Sequence, residues 1–189
     1  MRIIAGRYGG RSIRSVSGPG YRPATGKVRG AVFSMLEARG LAWPGARVAD
    51  LFAGSGSLGL EALSRGADFA LFVESAKAAA KAISDTLADL GVARGAAQVR
   101  AADVFTVLKE RPARPFSAIF VDPPYGKDYL LPAVRQLMDS GWLAPGGFLL
   151  AEAEAGLDLD PDRVHPGLET TTDRLYGQTR IVLWLREDP

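Results

Sequence analysis

Apolar and polar residues follow two periods along this chain, and the changes from one to the other mark out its elements. Short apolar runs at 47–51, 69–73, 97–101, 117–121 and 147–152 have the length and composition of buried strands. Helix-like periodicity falls between them at 57–65, 76–90, 103–110 and 129–139. Ser75 is placed to cap the second of these helices and Gly91 to end it. Glu169 to Tyr176 and Thr179 to Leu185 flank Gly177-Gln178 and read as a closing hairpin. In its last strand, Ile181, Leu183 and Leu185 alternate with Val182 and Trp184, so both faces are expected to be covered. The alternation of strand and helix predicts an α/β domain, a mostly parallel seven-stranded sheet with helices on both faces.

Before residue 47 the pattern differs. RIIAGRY and RSIRSV, joined by Gly9-Gly10, read as a small hairpin of two short strands. A proline- and glycine-containing loop, Ser17 to Ala24, follows. Thr25 is a candidate N-cap for a helix whose apolar face is Val28, Ala31, Val32, Met35 and Leu36. Arg29 falls off that face, free to meet a ligand or a phosphate. The organisation expected is a basic arm and loop over 1–26, then one domain over 27–189. Residues 154–169, acidic and proline-bearing, read as a solvated connection.

Charge sharpens this division. The net charge is only +2, but Arg2, Arg7, Arg11, Arg14, Arg22, Lys27 and Arg29 precede the first acid, Glu37. Segregated basic residues are the footprint of a polyanionic partner. The chain has no cysteine, which excludes disulfides, thiolate metal sites and a cysteine nucleophile. Its single histidine, His165, lies in a polar stretch and reads as a solvated loop residue, so neither a metal centre nor a Ser-His-Asp triad is expected. No apolar run approaches the roughly 20 residues that span a bilayer, and MRIIAGRYGGRS lacks the core of a signal peptide; a cytoplasmic protein is expected.

The chemistry centres on VADLFAGSGSLGLEA, residues 48–62. A strand enters a turn with Gly54, Gly56 and Gly59, and a helix leaves it. Such a unit brings backbone N–H groups and a helix start close to a small ligand. Gly54 and Gly56 serve the bend, and Gly59 lets the helix pack closely on the strand. Glu74, twenty residues beyond Gly54, stands where a carboxylate accepts ribose hydroxyls. A nicotinamide-binding module explains these features equally well. Asp50 leans the other way, because an acid at the strand end suits a ligand bearing an ammonium group. Asp50, Glu74, Asp103 and Asp122 each follow a predicted strand, beyond whose carboxyl ends ligands bind in such sheets.

Asp122-Pro123-Pro124-Tyr125 follows the fourth of these strands. Consecutive prolines stiffen the turn and offer no N–H. The Asp122 carboxylate and the Pro123 carbonyl become fixed acceptors beside the flat face of Tyr125. That combination suits a planar base with an exocyclic amine, whose developing positive charge the acceptors stabilise.

DLFAGSGSLGLEALSRGA, Glu74, Asp103 and DPPY together resemble the class I S-adenosylmethionine-dependent methyltransferases that act on amines. MRIIAGRYGGRSI, RPATGKVRGAVFSML and the late YGQT turn are further similar to the RsmD family, over nearly the whole chain. The resemblance implies a Rossmann-like fold and methylation of the N2 amine of guanine 966 in 16S ribosomal RNA, met within a small-subunit particle. It implies that Asp50, Phe52, Gly54 and Gly56 surround the methionine part of S-adenosylmethionine. Glu74 holds its ribose, and Asp103 with Val104 takes its adenine, while Thr25 and Arg29 border the pocket. Asp122, Pro123, Pro124 and Tyr125 form the catalytic set that receives a flipped guanine. Arg2, Arg7, Arg11, Arg14 and Arg22 contact the RNA, and the protein acts as a monomer without metal. Ala24 and Gly26 depart from the bulkier polar residues expected beside Thr25. The competing readings are an amino methyltransferase for another RNA guanine or for DNA adenine, a nicotinamide-binding oxidoreductase module, and a silent RNA-binding protein.

Overall fold

The computed structural model describes residues 1–15, 26–159, 164–177 and 179–187. Arg47–Leu51 (β1), Phe69–Val73 (β2), Ala97–Arg100 (β3), Phe116–Val121 (β4) and Leu143–Glu154 (β5) lie parallel. Leu168–Tyr176 (β6) and Thr179–Arg186 (β7) add an antiparallel hairpin. The order across the seven-stranded sheet is β3-β2-β1-β4-β5-β7-β6, so the last strand in the chain fills an interior place.

Both faces of the sheet are covered, as near-continuous apolar strands require. Gly26–Ala38 (α1), Ser57–Arg65 (α2) and Lys77–Asp89 (α3) lie over Val48, Phe72, Phe120 and Leu183. Val104–Leu108 (α4) and Leu130–Asp139 (α5) lie over Leu51, Ile119, Leu149 and Trp184. The two faces of β7 divide as expected, Ile181 and Leu183 going to one core and Val182 and Trp184 to the other. α3 ends at Leu90, with Gly91 next at φ 67°. Its start does not use Ser75: Ala76 is the N-cap, and the Ala76 N–H is taken by Glu74. Gly59 sits against the ring of Phe72, where a Cβ would come within 2.4 Å of Cε1. Only glycine allows α2 to lie this close to β2.

The first fifteen residues close on themselves antiparallel as expected, but the pairing is short and forms no continuous strands. Around one isolated bridge, Arg2 with Ser12, the N–H groups of Ile3, Gly10 and Ile13 donate to the carbonyls of Arg11, Ile3 and Met1, while residues 4–8 turn their backbone toward α2. The N–H groups of Ile4 and Ala5 donate to the two carboxylate oxygens of Glu61, at 2.7 and 3.0 Å. Arg7 N–H donates to the Ser64 carbonyl and Tyr8 N–H to the Ser64 hydroxyl. These donors, committed to α2, cannot serve a second strand, which keeps the ribbon short. Ile3 and Ile13 are buried in the core beneath α1 and α2.

Two further expectations are corrected. Arg29 does not point away from the core: it is 2% exposed, on a buried face with Val32, Phe33 and Leu36. Its guanidinium donates to Met1 Sδ and the Arg2 carbonyl, 4.0 Å from Glu61, because that buried carboxylate needs a cation. Nor is the 154–169 connection wholly solvated. Leu159 and Val164 are buried in the core with α5, and Asp160 to Arg163 lie outside the described residues. Among the described residues, no helix is long and apolar enough to cross a membrane, and no cluster of His, Asp and Glu is placed to hold a metal.

Candidate active site

The site forms along the carboxyl ends of β1, β2, β4 and β5. β1 leaves the sheet through Phe52, which takes a positive φ of 58°. This strained backbone points its ring out to stack on Tyr129 at 6.1 Å, with Phe105 edge-on to both. Gly54 and Gly56 follow with φ of 55° and 72°, and α2 starts directly after. A residue that must hold such angles in succession is best a glycine.

Four carboxylates stand just beyond or at the ends of β1, β2, β3 and β4. Asp50 is 2% exposed, and its Oδ2 accepts the Gly59 N–H at 2.9 Å. It braces the first turn of α2 from beneath, in a position that favours an acid; its direct contact is this helix start. Burial pushes its carboxyl up to about 7, with the Gly59 N–H pulling it down and Glu74 adding to the rise. Glu74 accepts Gly54 N–H at 2.8 Å on one oxygen and Ala76 N–H at 2.7 Å on the other. Those bonds hold it rigidly beside the glycine turn, with lone pairs to spare. Asp103 is the N-cap of α4, accepting Thr106 N–H at 2.9 Å, and is exposed. The Val104 side chain, expected at the ligand, is instead buried in the core with α5.

Asp122 is the fourth. Val48, Ala49, Asp50 and Leu51 pair with Ala118, Ile119, Phe120 and Val121, so Asp122 continues the face of Asp50 two positions further out. Its tip is partly open, yet the surrounding protein is dense enough that burial drives its carboxyl well above the usual range. Glu152 and then Asp50 add to the effect. Pro123 is buried, while Pro124 and Tyr125 are exposed. Beside them a groove of about 590 Å³ opens between this turn, the start of α5 and the end of β5.

Two residues here were not singled out from sequence. Glu152, 8% exposed on β5, meets the Tyr125 hydroxyl at 3.3 Å. Thr179, at the start of β7, lies 3.2 Å from the same hydroxyl. Glu152 ends the predicted strand 147–152 and is a fifth strand-end acid; the signal was present and passed over. Thr179 closes the YGQT turn, but only the β5–β7 pairing brings it here.

The expected RNA contacts are largely engaged within the chain. Arg2 donates to the Gly10 carbonyl, Arg11 to the Asp89 carbonyl, and Arg14 to the Asp89 carboxylate at 2.7 Å. Arg7 lies over the Tyr8 ring at 5.0 Å. Arg22 and Thr25 fall outside the described residues. Arg29, expected at the pocket, is withdrawn from it by the contacts described above.

Asp50 carries a pH prediction. A carboxyl raised by burial stabilises the fold most while protonated, and that contribution is lost as pH rises from about 4 through about 7. Asp50→Asn keeps an acceptor for Gly59 but cannot ionise. Its stability relative to the parent is expected to rise by about 2–3 kcal/mol between pH 5 and pH 8. Denaturant unfolding at the two pH values measures this; a difference independent of pH would contradict the assignment.

The family model described as Conserved hypothetical protein 95 matches residues 1–185. YlbH of Bacillus subtilis, provisionally named an rRNA methyltransferase, is 37% identical over 97% of this chain and 98% of its own length. The Escherichia coli protein named ribosomal RNA small subunit methyltransferase D is 34% identical over 99% of this chain and 90% of that protein. The solved structure of Escherichia coli yhhF, provisionally named a methyltransferase, is 33% identical with a TM-score of 0.86, covering 100% of this chain and 99% of that one. S-adenosylmethionine is the cofactor, and the residues fit it. The glycine turn leaves room for close approach, while Glu74 and Asp103 supply acceptors suited to ribose hydroxyls and an adenine amine. The sheet, the turn and these likenesses agree: the chain belongs to the RsmD family of S-adenosylmethionine-dependent methyltransferases.

Proposed function

We propose that this enzyme methylates the exocyclic N2 amine of a guanine in 16S ribosomal RNA, the nucleotide at position 966, within a small-subunit particle. The observation that carries this reading is Asp122-Pro123-Pro124-Tyr125 at the end of β4, beside the glycine turn and on the face of Asp50. S-adenosylmethionine supplies an already activated methyl group. What remains for the protein is position and charge. The Asp122 carboxylate and the Pro123 carbonyl accept the two N–H bonds of the amine and turn its lone pair toward the donor. As the N–C bond forms, positive charge on nitrogen is stabilised by the same acceptors. The raised affinity of Asp122 for protons equips it to take the proton that nitrogen then sheds. Tyr125, exposed at the turn, offers a stacking face to a base taken out of its helix.

The arm over residues 1–26 faces the RNA in this reading, through Arg2, Arg7, Arg11, Arg14 and Arg22. Arg14 remains 55% exposed in its side chain while paired with Asp89, so the pair can open toward a phosphate. The enzyme works as a cytoplasmic monomer, without metal. The names of the relatives support ribosomal RNA as substrate. The test uses radiolabelled S-adenosylmethionine and small ribosomal subunits from cells lacking the activity. N2-methylguanine at one site in digested RNA is the expected product. Label in another nucleoside, or in DNA alone, overturns the substrate.

A further inference from the structure

One carboxylate has no part in the chemistry so far. Val121 pairs with Ala151, so Asp122 and Glu152 stand level at the ends of adjacent parallel strands. They share the face that carries Asp50. Glu152 is nearly buried, and its Oε1 receives the Tyr125 hydroxyl at 3.3 Å and the Thr179 hydroxyl at 3.5 Å. Among the charges that shape the titration of these two acids, none is a cation. A buried acid beside another acid is a net cost to the fold unless something with hydrogen-bond donors occupies the site.

Two acceptors side by side match a base edge with two adjacent donors. Guanine presents N1–H next to its N2 amine. Adenine, and likewise 2-aminopurine, presents an amine next to a bare N1 lone pair. We propose that Glu152 determines base specificity: its Oε2, without a hydrogen-bond partner among the described residues, accepts the guanine N1–H while Asp122 accepts from the N2 amine, and the hydroxyls of Tyr125 and Thr179 fix Oε1. The inference rests on the guanine-N2 reading above. An ionised Glu152 repels the N1 lone pair of the wrong purine, and a polar group left unpaired is the strongest device for rejecting an analogue. A protonated Glu152 donates to that lone pair instead and loses the distinction.

The measurement uses small-subunit particles reconstituted with 16S RNA carrying either guanine or 2-aminopurine at the methylated nucleotide. Both bases have the N2 amine; only guanine has N1–H. The wild-type enzyme is expected to favour guanine by at least about ten-fold in kcat/KM. In Glu152→Gln the amide both donates and accepts, so the preference narrows to about two-fold or less. An unchanged preference in a folded Glu152→Gln overturns the proposal. Should that variant not fold, the wild-type enzyme alone decides. Its preference is expected to fall on acidification as Glu152, whose carboxyl burial raises above the ordinary range, takes up a proton. The other titratable groups facing Glu152 are Asp122, Tyr125 and, through Asp122, Asp50. Of these, only Glu152 meets N1 in this arrangement, and a preference that does not fall on acidification overturns the proposal. Failure of the wild-type enzyme to methylate guanine in either assay overturns the underlying reading, a result distinct from methylation without discrimination.

Discussion

Asp122→Ala is expected to lower kcat by about 10²–10³ and to leave the affinity for S-adenosylmethionine within about two-fold. The two effects separate because, in the proposed arrangement, Asp122 serves the base, whereas Glu74, Asp103 and the glycine turn serve the cofactor. The same substitution carries an opposite expectation for stability. Burial and the neighbouring Glu152 raise the Asp122 carboxyl well above its usual range, so ionising it opposes folding. Its favourable contribution is present below its unfolded pKa and is lost as pH rises through the raised one. Removing Asp122 also relieves Glu152 of a like charge. The variant is therefore expected to melt at the parental temperature or higher at pH 8, with that advantage shrinking toward pH 5. Radiolabel transfer, calorimetric titration with S-adenosylmethionine and melting at both pH values test this together. A variant that loses activity and stability in parallel at pH 8 would assign Asp122 to the scaffold.

The second large effect lies far from the chemistry. Gly6 has a φ of 77°, and a Cβ there would come within 1.9 Å of the Ser64 carbonyl oxygen. That neighbour is helix backbone and cannot step aside. Gly6→Ala is expected to expel the clasp that Ile4, Ala5, Arg7 and Tyr8 make with Glu61 and Ser64. Glu61, fully buried, would lose two backbone donors while keeping Arg65 and a distant Arg29. The expected cost is about 3–5 kcal/mol, the range for breaking a buried charge network. Amide exchange is the direct readout: protection at residues 3–8 should vanish while that of β1 and β4 falls less. Uniform loss across the sheet would mean that the clasp and the domain form one cooperative unit.

The sheet was legible because its strands carry a composition that burial on both faces requires. β1 and β2, and α2 between them, fall where the periodicity put them, since Gly54, Gly56 and Gly66 punctuate that stretch unambiguously. The acids at strand ends were legible from spacing, and so was the turn at Asp122. What escaped reading depended on partners distant in the chain. Arg29 looks like a surface cation on a helical wheel until Glu61, thirty-two positions later, is seen to need it. Residues 2–14 read as a hairpin and pair as a short one, but local pattern does not reveal that α2 takes the donors of residues 4–8. Thr179 reads as a turn residue until β7 pairs with β5 and brings it to Tyr125. Each miss is a polar group whose partner is set by tertiary contact.

The place of β7 between β5 and β6 bears on how the enzyme comes into being. A strand made late in synthesis, yet inserted into the interior, leaves β5 with an open edge until it arrives. The cofactor half of the site, built on β1 and β2, can form early from near neighbours. The proposed base-reading part cannot, because Tyr125, Glu152 and Thr179 meet only once that gap is closed. A partly made chain is thus able to gather the elements that hold the methyl donor before those that choose its target. If Glu152 selects the base as proposed, that selection is complete only when the last strand is in place.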